Sequence, residues 1–132
     1  MTIAGYSGKP LPEKLGIKPG LRVYVDRPPA HIDDLLPDVD YRTRMPRETD
    51  VTLTFHTEAA TYARRLPVLL DHTVVNGMVW VCWPKKSSGV ATDLTENLVR
   101  DIGLAAGVVD VKVAAVDETW SALKFVRRLK DR

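Results

Sequence analysis

The sequence predicts one α/β domain with a mostly parallel sheet of about six strands and helices on both faces. Strand-like and helix-like patterns alternate along the chain, which is typical of such three-layer sheets. The last two strand-like segments are joined by so few residues that they must pair antiparallel, as a C-terminal hairpin. With 132 residues the chain fits a single domain, of which residues 1–10 are expected to form an irregular N-terminal arm.

The six predicted strands are runs of β-branched, aliphatic or aromatic residues bounded by turn formers. They cover residues 21–26, 39–45, 51–56, 78–83, 108–116 and 123–129. Pro28 and Pro29 end the first strand, because proline donates no hydrogen bond to a neighbouring strand. The second strand alternates apolar with polar residues, which indicates a half-exposed strand near a sheet edge. Asn76-Gly77 predicts a turn before the fourth strand, which is apolar enough to be buried on both faces.

The four predicted helices cover residues 12–16, 31–36, 57–70 and 93–102. The third has apolar residues three or four positions apart, and Pro67 is expected to kink or shorten it. In the fourth, Asp93 and Glu96 have the spacing of a capping box, and Gly103 is expected to end the helix. A mostly parallel sheet with an antiparallel last strand is the arrangement of methyltransferase-like Rossmann folds, an analogy of fold that carries no function.

Composition narrows the class of protein. The net charge of +2 disfavours bulk binding to nucleic acid, which calls for a stronger basic excess. Cys82 is the only cysteine, so no intrachain disulfide can form and a reducing compartment is favoured. No stretch approaches the roughly 18 apolar residues of a membrane span, and the first residues lack the pattern of a secretory signal. We therefore expect a cytosolic protein without membrane contact, and a homo-oligomer stays among the alternatives.

Three stretches in the second half of the chain carry a family resemblance: WPKKSSG at 83–89, TDLTE at 92–96 and VDVKV at 109–113. AGYSG at 4–8, KLGIKPG at 14–20, VDETWS at 116–121 and LKF at 123–125 add to it. On these strings the chain resembles, over nearly its whole length, an uncharacterised bacterial family catalogued as domain of unknown function 3052. The resemblance implies a small bacterial protein and carries no activity.

A Rossmann-type cofactor site needs a glycine-rich turn directly after the first strand, so that backbone amides approach the ligand closely. Here that strand ends in Asp26 and continues as Arg27-Pro28-Pro29-Ala30, which has no glycine and two residues without an amide hydrogen. We therefore expect no conventional cofactor. The three histidines and the single cysteine also lack the spacing of metal ligands, so no metal is expected.

The segment Lys85-Lys86-Ser87-Ser88-Gly89 lies between a predicted buried strand and a predicted helix. Two ammonium groups, two hydroxyls and a flexible glycine before free helix amides suit a small anionic ligand. The spacing is not that of a phosphate-binding Walker loop, and the acidic residues at the start of the helix compete with an anion. A solvated basic loop is the alternative.

Ligands of parallel α/β sheets bind at the carboxyl ends of the strands. Tracing the strands places Asp26, His56, Glu58, the lysine loop and residues 117–120 at that edge, with Tyr6 and Ser7 able to fold over it. The predicted ligand-binding residues are therefore Asp26, His56, Lys85, Lys86, Ser87, Ser88 and Gly89. His56 could equally be a packing residue, and Asp117 could only shape the hairpin turn.

Three functions stay open. The leading hypothesis is a non-catalytic binding or regulatory module that holds a small anion at this edge. The second is a divergent methyltransferase-like enzyme without the glycine-rich loop, with His56 or Asp26 as general base and Lys85 or Lys86 stabilising charge. The third is an oligomeric or interaction scaffold that uses an open sheet edge or Trp120.

Overall fold

The computed structural model describes residues 9–132, so most of the predicted arm, with Tyr6 and Ser7, lies outside the described residues. The helices are α1 (Leu11–Lys14), α2 (Ile32–Leu35), α3 (Ala59–Asp71) and α4 (Glu96–Ala105). The strands are β1 (Val23–Asp26), β2 (Tyr41–Arg42), β3 (Thr49–Phe55), β4 (Thr73–Pro84), β5 (Val108–Ala115) and β6 (Trp120–Arg127). Short 3-10 turns cover Lys86–Ser88 and Leu129–Asp131.

These strands form one six-stranded sheet in the order β2-β1-β3-β4-β6-β5. β1 pairs parallel with β2 and β3, and β3 pairs parallel with β4. β6 is antiparallel to both of its neighbours, β4 and β5, so it alone runs against the other described strands. The predicted fold class, a mostly parallel sheet with an antiparallel C-terminal hairpin, is confirmed.

The core divides into two apolar clusters, one on each face of the sheet. α1 and α2 cover one face, where Leu15, Ile32 and Leu35 pack among inward-facing strand residues. α3 and α4 cover the other, where Tyr62 and Val99 do the same. Helices on both faces explain why the central strands are continuous apolar runs, since neither side of them meets water. No helix among residues 9–132 has the length and apolar character needed to cross a membrane.

β2 is far shorter than the predicted strand 39–45 and contains only Tyr41 and Arg42. It does lie at a sheet edge, beside the start of β1. The predicted alternation holds for Val39 and Tyr41, which pack on the core, and ends at Thr43, which is exposed. Beyond Arg42, however, the chain has to leave the edge and cross towards β3, so strand pairing stops there.

The predicted turn at Asn76-Gly77 is wrong, because both residues lie inside β4. The register between β3 and β4 shifts here, with Thr49 opposite Thr73 but Val51 opposite Met78. A Cβ atom on Gly77 would lie 2.8 Å from the Thr73 side chain and 3.0 Å from the Asp50 carbonyl oxygen. The glycine therefore permits a close backbone approach at a strand irregularity, which is the second common use of glycine in strands.

The two long helices differ from their predicted ends. α3 continues through Pro67, which lies on its exposed side, as far as Asp71. α4 begins at Glu96, with Thr95 as its N-cap, because the Thr95 side chain accepts a hydrogen bond from the Leu98 amide. The predicted capping box from Asp93 is therefore wrong. The helix also includes Gly103, the residue that was expected to end it.

Candidate functional site

The sheet has a topological switch point between β1 and β3. From β1 the chain proceeds outwards to β2, and then returns to β3 on the opposite side of β1. In open α/β sheets, the crevice outside the carboxyl ends of two such strands is where ligands bind. Asp26 is the last residue of β1, and His56 directly follows β3. Two of the predicted site residues therefore flank the switch point.

The Asp26 carboxylate is only 4% exposed and lies in a dense hydrogen-bond network. It accepts hydrogen bonds from the Tyr24 hydroxyl at 3.0 Å, from the Thr54 hydroxyl at 2.7 Å and from the Arg65 guanidinium at 2.9 Å. Burial raises the pKa of Asp26, but the hydrogen bonds from Arg65, Thr54 and Tyr24 outweigh burial and leave the pKa below its ordinary value. Asp26 is an ionised, fully engaged anion and is not suited to act as a general base.

The hydrogen bonds of Thr54 decide the tautomer of His56. The Thr54 hydroxyl carries a single hydrogen, which it donates to Asp26 because an ionised carboxylate can only accept. The Thr54 oxygen, 2.6 Å from His56 Nε2, must then accept from that nitrogen. A neutral His56 therefore carries its hydrogen on Nε2. Its Nδ1 is an acceptor that is buried and has no hydrogen-bond partner among residues 9–132.

The environment of His56 keeps the ring neutral. The residue is 2% exposed, and its ring lies against that of Tyr62, with 5.5 Å between the ring centroids. Burial lowers the pKa of His56 to about 4, and the positive charge of Arg27 contributes to the shift. At neutral pH the ring offers a hydrogen-bond acceptor but is a weak base. Neither residue of the predicted pair is therefore tuned for general base catalysis, which favours a pKa near the working pH.

The turn after β1 has the backbone shape of a glycine loop without its chemistry. Arg27 has a φ angle of +56°, in the left-handed region that glycine usually occupies. Arg27 has a side chain where a glycine would have none, and the two prolines after it have no amide hydrogen, so the turn offers few backbone donors. The Asp26 carboxylate beside the turn also repels an anion. The residues present therefore do not fit a cofactor held by its phosphate or carboxylate on a glycine-rich turn.

The lysine loop is an ordered turn that precedes α4 by several residues. Ser88 donates to the Lys85 carbonyl at 2.6 Å and accepts from the Val90 amide at 3.2 Å, so its hydroxyl is engaged within the loop. Gly89 has a φ angle of +77°, which makes it the residue that permits this turn. Lys85 and Lys86 line a cavity of about 260 Å³ together with Thr95 and Glu96. The lysines thus do meet the start of α4, as predicted, but they meet its acidic, capped end.

Two further lysines, which the sequence analysis missed, lie near the same edge. Lys14 donates to the carbonyl of Ala115, the last residue of β5, at 3.0 Å. Burial lowers the pKa of Lys14, and the charges of Lys112 and Lys85 lower it further. The carboxyl edge is therefore electropositive between α1, β5 and the lysine loop. No sequence pattern could reveal this, because the three lysines come from distant segments.

The hairpin residues at this edge have structural roles. Asp117 accepts from the amides of Thr119 and Trp120 at 2.8 and 2.7 Å, and its other oxygen lies 2.8 Å from His31 Nε2. Trp120 is half-buried and packs edge-on against Phe55, with ring centroids 5.1 Å apart. Trp120 is therefore a packing residue of β6 and not an exposed anchor.

The structure thus separates the predicted site residues into two groups. Asp26 and His56 are joined through Thr54 and buried beneath α3, whereas Lys85 and Lys86 line the small cavity near α4. Asp26 and His56 are absent from the lining of that cavity. The sequence analysis also missed Thr54 and Arg65, which complete the buried group. Among residues 9–132, no group of three or more His, Cys, Asp or Glu side chains is arranged to hold a metal ion.

The fold is similar to those of solved methyltransferases. Magnesium protoporphyrin IX methyltransferase from Synechocystis PCC 6803, solved with bound SAH, has a TM-score of 0.59 at 13% identity, over 89% of this chain and 78% of that one. Ribosomal protein L11 methylase from Lactobacillus delbrueckii subsp. bulgaricus has a TM-score of 0.59 at 11% identity, over 88% and 74%. For a mitomycin 7-O-methyltransferase the values are 0.58 and 12%, over 83% of this chain and 50% of that protein. No family model and no curated protein matches the sequence.

These comparisons correct the leading functional hypothesis. The interpretation of the chain as a non-catalytic binding or regulatory module is wrong, because several of the solved structures with this fold are methyltransferases. They favour the second hypothesis, a divergent methyltransferase-like enzyme. At these identities the likeness itself establishes the fold, and activity has to be argued from the site.

Proposed function

We propose that this chain is a divergent methyltransferase-like enzyme that holds a small ligand at the carboxyl ends of β1 and β3. The observation that carries the proposal is the Nδ1 atom of His56 at the switch point of the sheet, which is buried and has no hydrogen-bond partner in the described part of the chain. A buried polar atom without a partner costs about 1–3 kcal/mol, so native proteins rarely keep one without a use. A ligand N–H or O–H group that donates to Nδ1 would remove this cost.

The polar cluster prepares His56 for that contact. Arg65 fixes Asp26, Asp26 fixes the Thr54 hydroxyl, and Thr54 fixes the tautomer of His56. The low pKa of His56 keeps Nδ1 unprotonated throughout the physiological pH range. His56 therefore acts in this proposal as a hydrogen-bond acceptor that orients the ligand. We assign no base to the transfer reaction and route no step through a cofactor, since the turn after β1 does not fit the usual one.

The electropositive edge supports an anionic group on the ligand. Lys14, Lys112 and Lys85 raise the local potential on one side of the switch point, and Arg27 stands at the other. The loop predicted to bind an anion, Lys85-Lys86-Ser87-Ser88-Gly89, supplies one of these charges, that of Lys85. The proposal therefore combines a carboxylate or phosphate at the lysine edge with a donor group at His56. We also propose that the chain is a cytosolic bacterial protein and a member of the family catalogued as domain of unknown function 3052.

The segment between the lysine loop and α4 lies against the residues that follow His56. Thr92 donates to the Thr57 carbonyl at 2.5 Å, and Asp93 accepts from the Ala59 amide at 2.8 Å. These bonds hold the segment against the residues that follow His56. Because Ala59 lies three residues after His56 and donates to Asp93, a ligand at Nδ1 is expected to shift the NMR signal of the Ala59 amide.

Isothermal titration calorimetry with SAH, SAM, nucleotides and acidic metabolites tests the proposal, together with amide NMR shifts. We expect saturable binding to at least one of these compounds, with shifts centred on residues 54–59, and about tenfold weaker binding in His56→Phe, which keeps a ring but removes the acceptor. Arg64→Met, an exposed change on the far side of α3, is the control that should bind normally. Absence of binding across the panel, or equal binding by His56→Phe, would overturn the proposal.

A further inference from the structure

A second, larger cavity lies away from the switch point, beside the start of β1 and the short edge strand β2. Its volume is about 790 Å³, within the range of roughly 300–1,000 Å³ that small-molecule sites occupy. Three segments line it: residues 17–23, which lead into β1, residues 37–40, which lead into β2, and residues 42–46, which leave β2. Asp26 and His56 are absent from this lining.

The shape of the cavity follows from how the sheet ends. β2 pairs with β1 over only two positions, Tyr41 beside Val23 and Arg42 beside Tyr24. The chain that leads into Val23 and the chain on either side of Tyr41 and Arg42 are irregular, and the cavity lies between them. Asp38 has a φ angle of +59°, which Asp tolerates better than most residues, and it turns the chain from α2 into β2. The cavity is therefore built into the connections of the fold.

The walls are largely apolar. Ile17, Leu21, Val39 and Met45 are all half-buried and contribute side chains to the lining, with several prolines. A ligand that covers half-buried aliphatic side chains removes their remaining apolar area from water. This stabilises the complex by about 25 cal/mol per Å². The cavity therefore suits the apolar body of a ligand.

The rim carries cations that no other described residue neutralises. Arg42 and Arg44 are exposed and line the cavity, and their side chains make no hydrogen bond or ion pair among residues 9–132. The same holds for the side chain of Lys18. By contrast, Arg22 in the same lining is engaged by Asp50 and Glu48. Two arginines two positions apart can each present a planar pair of donors to a carboxylate or a phosphate. The carboxylates of Asp38 and Asp40, also in the lining, repel anions. Because this repulsion grows with the charge of the anion, the cavity suits an anion with a small charge.

We propose that this cavity binds a small organic anion with an apolar body, an alkyl or aromatic carboxylate or phosphate monoester, with its head group at Arg42 and Arg44. The apolar body lies against Ile17, Leu21 and Val39. This site is distinct from the one at the switch point and does not depend on the function proposed for it. Binding here would hold the loops around β2 in one conformation. The protein would then have a second small-molecule site.

Amide NMR titrations with octanoate and octyl phosphate test the proposal and distinguish the two head groups. Octanol, which lacks the charge, and acetate, which lacks the apolar body, are the matched probes. We expect saturable shifts confined to residues 17–23 and 37–46 with octanoate or octyl phosphate, and binding at least tenfold weaker with octanol and with acetate. The double variant Arg42→Met/Arg44→Met should lose at least tenfold in affinity, and Arg64→Met should not.

Three outcomes would overturn the proposal: octanol binding as tightly as octanoate, an unchanged affinity in the double variant, or shifts centred elsewhere in the chain. Because both arginines are exposed and unpartnered, the double variant should fold normally, which its amide spectrum checks directly. A chain that binds octanoate but none of the compounds of the calorimetry panel supports this site while contradicting the proposed function. A chain that binds a compound of the calorimetry panel but not octanoate supports the proposed function while contradicting this site.

Discussion

Arg65, near the middle of α3, donates from two guanidinium nitrogens to the carboxylate of Asp26 at the end of β1, with the shortest contact at 2.9 Å. The pair links the helix layer to the sheet at the switch point. The Asp26 side chain is 6% exposed and that of Arg65 is 32% exposed, so the acid is buried and the base reaches in from the surface. Removing one partner of such a pair destabilises the fold strongly, because the other charge is left buried without compensation.

The first prediction is that Arg65→Met lowers the free energy of unfolding by about 2–3 kcal/mol. Removing one partner of a buried pair costs about 3–5 kcal/mol, and the partial exposure of Arg65 reduces that cost. Arg64→Met, its exposed neighbour, should change stability by less than about 0.5 kcal/mol. Urea denaturation measures both. Asp26→Asn added to Arg65→Met should recover part of the loss, and a fully additive double variant would contradict the pairing.

The second prediction concerns acid. Because the pKa of folded His56, about 4, is below the unfolded value of 6.5, the unfolded chain binds more protons between these values. The stability from keeping His56 neutral is complete above pH 6.5 and is lost as the pH falls towards 4. The loss is about 2–3 kcal/mol between pH 7.5 and 4.5. Urea denaturation across this range should show that the free energy of unfolding depends less on pH in His56→Gln than in the unchanged chain. An equal pH dependence in both would contradict the low pKa of His56.

The third prediction concerns Gly103. A Cβ atom there would lie 2.1 Å from Cε1 of Phe125, a fully buried ring. Gly103→Ala should therefore destabilise the fold by about 2 kcal/mol or more, although alanine is the better helix former by about 1 kcal/mol. Phe125→Leu in the same chain should relieve part of the clash. Thermal unfolding measures this, and a stabilised Gly103→Ala would show that α4 does not pack on β6 in this way.

The fourth prediction separates two neighbouring polar residues by what each one caps. Thr95 accepts from the Leu98 amide in α4, whereas Asp93 accepts from the Ala59 amide at the start of α3. Each replacement by alanine should cost about 1 kcal/mol. Hydrogen exchange should accelerate at Leu98 in Thr95→Ala and at Ala59 in Asp93→Ala. The same pattern in both variants would contradict these separate roles.

The strands whose local pattern and burial agree were predictable from the sequence. The apolar run at 78–83 could only be a central strand, and the order of elements then placed Asp26, His56 and Lys85 at one edge. Local signals failed where two of them compete. Asp93 and Thr95 are both good caps for α4, and only the neighbouring Ala59 amide decides between them. Asn76-Gly77 signals a turn, yet it is the Asp50 backbone beside it that requires the glycine.

The candidate site was only half predictable for the same reason. Asp26 and His56 end strands, so parallel topology brings them together. Arg65 lies on the face of a helix where its sequence neighbours give no sign of a buried partner. The tautomer of His56 depends on Thr54, which reads as an ordinary strand residue. The cavity beside β2 is lined mostly by irregular chain from separate segments, and no local pattern shows that these segments meet.

The position of β6 sets an order on the assembly of the sheet. Among the described strands β5 pairs only with β6, and β6 joins it to β4. We expect the β5–β6 hairpin to form from local contacts and then to dock as a unit, while β1, β3 and β4 assemble around longer connections. Until docking, the long apolar edge of β4 is open, and it is the part of the chain most exposed to wrong pairing with another copy.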